Sequence, residues 1–205
     1  MFPALPPRAR WSAMVIALVA GGSVLALFIH SLDTERYGDE ATTAWAIARF
    51  FTVLTNLIVA ATFGAAAVRR NGINASWLAA LTLAIVLVGA VFHVLLSDIT
   101  TYVGLGEWAN QGLHTFVPIT CLLWWIIFAP KRTLHYRDLP IFIAWPCVYM
   151  AYALARGAQD GTYPYPFIDL TQISATAVAL NLAGLLIVLL LGGVIFVMIG
   201  RFADR

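Results

Sequence analysis

The sequence predicts an all-α, polytopic membrane protein: one domain over residues 1–205, built as a bundle of six transmembrane helices with both termini in the cytoplasm. Three observations lead there. Apolar residues make up 61% of the 205 and charged residues only 11%, with a mean hydropathy of +0.87, outside the range of soluble globular domains. Six apolar runs reach or approach the ~20 helical residues that a hydrocarbon core requires. Charge is also sorted along the chain. With six spans, the two ends and the loops around Arg69 and Arg70 and over 131–137 share one side, which holds nine of the twelve Lys and Arg. Eight of the ten acids fall in the opposite loops, and the positive-inside rule assigns the basic side to the cytoplasm. These features predict a multi-pass protein of a membrane whose cytoplasmic side bears the basic loops.

The first run, 11–29, follows Arg8 and Arg10 as the core of a signal peptide would. It is longer than such a core and lacks a small-x-small site before the acidic loop, so it reads as a retained helix. His30 stands at its outer end and reads as a structural residue. The second run, 46–68, carries polar residues in its first half. Thr52, Thr55 and Asn56 fall at i, i+3 and i+4 and so share one helix face. In a membrane helix Thr ordinarily bonds its own i−4 carbonyl and Asn ties helices together; a reactive role needs further groups arriving at the same depth. A helix starting at Ala46 would put Thr52 ~9 Å below that start, at ~1.5 Å per residue. Arg49, one turn above, reads equally as a snorkelling anchor or a contact for an anionic head group.

The third run, 77–96, ends in His93, Ser97 and Asp98, with His93 read as structural. The fourth, 113–128, is short and begins at His114. Pro118 has no N–H, so the His114 carbonyl loses its i+4 donor and a kink is expected just below it. The fifth, 139–154, is also short, and Trp124, Trp125, Trp145 and Tyr149 of these two runs are the candidate interface anchors. The loop after it holds Tyr163, Pro164, Tyr165, Pro166, Phe167 and Asp169. Its prolines make it stiff, either a lid over the outer face or a rigid cap with Asp169 as N-cap of the last helix. The last run, 175–199, has Asn181 in its first third. His135 lies in a basic loop and reads as solvated. Cys121 and Cys147 sit in apolar runs and imply no disulfide framework.

Three motifs carry a resemblance to known proteins: Arg49, Phe50, Phe51 and Thr52; Trp108, Ala109, Asn110, Gln111, Gly112, Leu113, His114 and Thr115; and Tyr163, Pro164, Tyr165, Pro166 and Phe167. Over about residues 49–181 the chain resembles a bacterial family of predicted six-transmembrane proteins of unassigned activity. More remotely, it is similar to the eukaryotic androgen-induced membrane protein family, whose members hydrolyse fatty acid esters of hydroxy fatty acids with a Thr nucleophile and a His. The resemblance implies Thr52 as nucleophile and His114 as catalytic His, with Thr55 a rival nucleophile.

The chemistry is compatible with that expectation. An alcohol becomes a useful nucleophile only when a base within about 3 Å, or one water away, takes its proton. Such a site needs donors for an oxyanion and a group that orients the imidazole. Asn56 and Asn110 are candidate donors, and Asp98 or Asp169 candidates to hold the His. Candidate substrate-binding residues are Asn56, Asn110, Tyr163, Tyr165, Phe167 and Asn181. No cofactor or metal is required; the expected partners are a lipid or fatty-acyl ester and the bilayer itself.

Two other classes compete. His30, His93 and His114 could ligate a metal or haem, but the close His-x3-His or Cys-x2-Cys spacings of such sites are absent from the sequence. A transporter or non-enzymatic lipid-binding bundle would use the same span pattern, although paired broken helices and midplane charges are lacking. No basic patch interleaved with aromatics points to nucleic acid.

Overall fold

Main-chain amides have no partner in a bilayer, so a chain of this composition satisfies its backbone within helices. The computed structural model describes residues 5–69, 72–97 and 101–202; among these there is no strand. Six helices are long and apolar enough to cross a membrane: Pro7–Asp33, Phe51–Val68, Ala75–Leu96, Leu105–Phe128, Tyr136–Asp160 and Ala175–Phe202. The chain divides into two compact units, Met1–Ala129 and Pro130–Arg205.

In the first unit, α1 (Pro7–Asp33) packs along α3 (Phe51–Val68). The contact runs over small residues, with Ala17 opposite Gly64 and Gly21 opposite Ala60, the close approach that drives helix association in lipid. The base of this pair is tied by polar groups. Arg10 Nε donates to the Ala67 carbonyl at 2.8 Å, satisfying an acceptor that the end of α3 leaves over, and Trp124 Nε1 donates to the Ala9 carbonyl at 3.0 Å.

The second apolar run is two helices rather than one. Short α2 (Glu40–Ile47) starts where the Asp39 side chain accepts from the Thr42 N–H at 2.8 Å. At its end the bonds tighten from Ala48 N–H on the Ala44 carbonyl to Arg49 and Phe50 N–H on the Ala46 and Ile47 carbonyls. Phe50 is then extended, with φ −88° and ψ 131°, and α3 starts afresh at Phe51. Thr52 is therefore the second residue of a helix, not a residue two turns into one that begins at Ala46.

The third and fourth spans each contain one π-helical turn. Helix α4 (Ala75–Val91), capped by Asn74 on the Trp77 N–H, continues into Phe92–Leu96. Helix α5 (Leu105–Gln111) continues through Gly112–Phe116 into α6 (Val117–Phe128). The fourth span thus starts eight residues before the apolar run suggests, because Glu107, Asn110 and Gln111 interrupt its hydropathy without interrupting its helix. The distortion expected from Pro118 is present as the wide turn immediately before it; widening to i→i+5 bonding is one way a helix accommodates a missing donor.

The second unit holds α7 (Leu139–Asp160) and α8 (Ala175–Phe202). Phe142 and Phe196 meet edge to face with centroids 6.2 Å apart, next to Gly193, whose missing side chain leaves room for Leu139 and Phe142. The residue that caps α8 is Ser174, whose Oγ accepts from the Ala177 N–H at 3.2 Å, and not Asp169. The Asp169 carboxylate instead closes its own turn, accepting from the Thr171 N–H at 2.9 Å and the Thr171 hydroxyl at 2.6 Å. Five residues separate it from the first turn of α8, too far for a cap.

Candidate active site

The break before α3 and the π turn before α6 set the geometry at one end of the first unit. Thr52 lies in the opening turn of α3 and is 9% exposed. Its Oγ1 is 3.3 Å from His114 Nε2, across a sequence separation of 62 residues. His114 sits in the middle of the π turn, and its Nδ1 is 3.1 Å from the Asn110 carbonyl. A carbonyl can only accept, so in the neutral ring Nδ1 carries the proton and Nε2 presents its lone pair to the Thr52 hydroxyl. The orientation needed for a base is thus supplied by main chain. Of the carboxylates considered from sequence, Asp98 lies outside the described residues and Asp169 belongs to the second unit.

A third contact fixes the plane of the imidazole. Phe92, first residue of the other π turn, stacks on His114 with centroids 4.0 Å apart and planes 19° from parallel. Helix α4 comes close enough for this because Gly89 has no side chain. A Cβ there would stand 2.9 Å from the His114 carbonyl oxygen and 3.1 Å from Pro118 Cβ. On the opposite side, Gly112 lets Ser23 of α1 fit against the same turn.

Asn56, fully buried, joins the two halves of the pair. Its Nδ2 donates to the Thr52 carbonyl at 2.9 Å and to the Leu113 carbonyl at 3.4 Å. Both amide hydrogens go to main-chain acceptors, so the group left inside is Oδ1, a buried acceptor without a hydrogen-bond partner, as is Asn110 Oδ1. Asn56 therefore fastens α3 to the His-bearing turn and cannot donate to an oxyanion from this rotamer. Donors of another kind are nearby. The first turn of α3 has its first intrahelical bond at Leu54 N–H to the Phe50 carbonyl, so the N–H groups of Thr52 and Val53 have no acceptor within the helix. Val24, Ile47, Val53 and Leu113 close an apolar cluster around this end, with Phe28, Tyr37 and Phe50 packed on it.

The remaining candidates are distributed as follows. Thr55 is fully buried, and it is Thr52, one turn before it, whose hydroxyl meets His114. Trp108 of the second motif is 73% exposed. Tyr163, Tyr165, Phe167 and Asn181 all belong to the second unit and are gathered there with one another. Tyr163 lies over Gly157, Tyr165 and Phe167 stack with centroids 5.2 Å apart, and Asn181 Nδ2 donates to the Phe167 carbonyl at 2.8 Å. Of the three histidines weighed as metal ligands, His30 meets Tyr102 edge to face, while His93, bonded to Thr115, and His114, bonded to Thr52, both touch Phe92. Among the described residues no three His, Cys, Asp or Glu come together as a metal site.

Sequence reading missed the Asn110 carbonyl, Phe92 and Gly89. The only sequence signal for the first is spacing: Asn110 lies four residues before His114, on the same helix face and within reach of its ring. Comparisons with protein families, with curated proteins and with solved structures find no match for this chain.

Proposed function

We propose that this protein is an intramembrane hydrolase of fatty-acyl esters, with Thr52 as nucleophile and His114 as general base, working from the outer side of a bacterial inner membrane with both termini cytoplasmic. The observation that carries the reading is the Thr52 hydroxyl 3.3 Å from the lone-pair nitrogen of an imidazole whose other nitrogen is held by a main-chain carbonyl. Bonds of this length in a site without substrate commonly tighten when the reactant is bound. The remote resemblance to Thr/His hydrolases of fatty acid esters of hydroxy fatty acids, and the concentration of positive charge on one set of loops, support the same assignment.

In this mechanism the Thr52 oxygen attacks the ester carbonyl while its proton passes to His114 Nε2. The tetrahedral oxyanion is met by N–H groups of the first turn of α3, where the helix dipole also favours negative charge. Collapse breaks the bond to the alcohol, which leaves with the proton from Nε2, and the acyl group stays on Thr52. Water then attacks the acyl-enzyme, again losing its proton to Nε2. Release of the acid returns that proton to the Thr52 oxygen.

The test is covalent labelling of detergent-purified protein with a fluorophosphonate, followed by peptide mass spectrometry. The expected adduct is on Thr52 and disappears in Thr52→Ala and in His114→Ala. Adduct on Thr55 would move the nucleophile, and absence of any adduct from folded protein would leave a lipid-binding bundle without turnover.

A further inference from the structure

We infer that the substrate's hydrocarbon chain reaches this site sideways from the bilayer, through the groove between α4 and α6. The inference rests on the reading of Thr52 and His114 given above. The groove, about 230 Å³, is walled by Val86 and Ala90 of α4 and by Ile119 and Leu122 of α6. It closes at one end on His93, His114 and Thr115. His114 is thus shared: its Nε2 meets Thr52, and the same residue lines the end of the groove.

Three features specify the occupant. The walls are aliphatic over the length of the groove and polar only at the imidazole end, the distribution of a single alkyl chain ending in an ester. The volume falls below the ~300–1,000 Å³ of pockets that enclose a drug-sized ligand, so the groove takes one chain and not the whole of a diacyl lipid. Its rim is open where Ala90 and Ile119 are exposed, on two helices long and apolar enough to lie in lipid. An ester dissolved in the bilayer can slide in from there without crossing water.

The probe is a hexadecanoyl ester with a mid-chain diazirine, photolysed with the full-length protein in phosphatidylcholine nanodiscs. Adducts are expected on the α4 and α6 peptides that carry Val86, Ala90, Ile119 and Leu122. Ala90→Phe fills the groove from an exposed position. Losing even two methylenes of contact weakens binding by about tenfold, and adduct yield should fall to match. Ile119→Trp, a second exposed site, should act in the same direction. An unchanged melting curve in detergent shows that each variant is folded. Thr52→Ala should keep the groove adducts. Unlabelled hexadecanoyl ester should compete, while raising the phosphatidylcholine fraction should not. Adducts spread over all lipid-exposed helices and indifferent to both groove variants would overturn the inference, as would equal competition by phosphatidylcholine, which marks an ordinary lipid tail. Groove adducts in a protein whose Thr52 never takes the fluorophosphonate would support the chain site and reject the hydrolase.

Discussion

Two His–Thr pairs lie a few residues apart at one end of the first unit, and they are wired in opposite directions. In one, the Asn110 carbonyl holds His114 Nδ1–H, so Nε2 is an acceptor and the Thr52 hydroxyl donates to it. In the other, the Thr115 hydroxyl donates to Gln111 Oε1 at 3.0 Å, so its oxygen receives the proton of His93 Nε2 at 3.0 Å. The residue types are the same and the distances similar. What differs is the third group: an acceptor behind the imidazole makes the His a base, whereas an acceptor behind the Thr makes the His a donor. Burial follows the same division, since Thr52 is nearly enclosed while His93 is exposed.

The largest effect separating the pairs should come from removing the base. His114→Ala should slow labelling of Thr52 by about 10²–10⁴-fold, the usual contribution of a positioned general base, and Thr52→Ala should abolish it. A His114→Ala variant that labels at the parent rate would show that Thr52 reacts independently of His114, and the contrast between the pairs would lose its chemical meaning.

Next in size is Asn56→Leu. The change strands the Leu113 carbonyl, since Val117 N–H goes to Gly112 and Pro118 has no N–H, at a cost of roughly 1–3 kcal/mol for a buried polar group left unsatisfied. It also takes a second donor from the Thr52 carbonyl, which keeps its bond within α3. A melting curve in detergent should drop accordingly, and labelling of Thr52 should fall with it. Asn56 also marks the limit of what the sequence disclosed. Its place on the Thr52 face follows from spacing alone, and its role as a tie between helices is what Asn ordinarily does in a membrane. The helix count and the Thr52–His114 pairing were legible for similar reasons, since hydropathy marks spans and a motif marks the pair. The break at Phe50 was not legible, because Ala48, Arg49 and Phe50 include neither Gly nor Pro. Nor was the contact of Phe92 with His114, which depends on a π turn in each of two helices. A single inserted residue changes which side chains face a neighbour without changing hydropathy.

Gly89→Ala tests the close approach that brings Phe92 onto one ring and not the other. The added Cβ meets a main-chain carbonyl at 2.9 Å, and that oxygen cannot swing aside as a side chain would. Helix α4 must move outward, with an overpacking cost of about 1–3 kcal/mol. Loss of the Phe92 stack should lower Thr52 labelling by about tenfold, less than removal of His114, since misplacement by ~1 Å can cost up to 10²-fold. A variant that melts earlier but labels at the parent rate would show that the stack supports the fold alone.

The smallest effect should come from the second pair, and it is the most discriminating. Thr115→Val deletes the hydroxyl between His93 and Gln111, near the lipid-facing rim where substitutions commonly change stability by under about 0.5 kcal/mol. Labelling of Thr52 should then stay within about twofold of the parent. Nitrogen-15 spectra of His-labelled protein, with the signals of the four rings assigned by single substitution, read the wiring directly: His114 should carry its proton at Nδ1 and His93 should donate from Nε2. In Thr115→Val the constraint on His93 is gone, so its signal alone should move toward the mixture of tautomers found in water. If the His114 signal moved as well, the rings would be coupled through Phe92, which lies stacked on one and edge-on to the other. The two pairs would then form one proton network, and direction would be a property of the whole cluster and not of each third group.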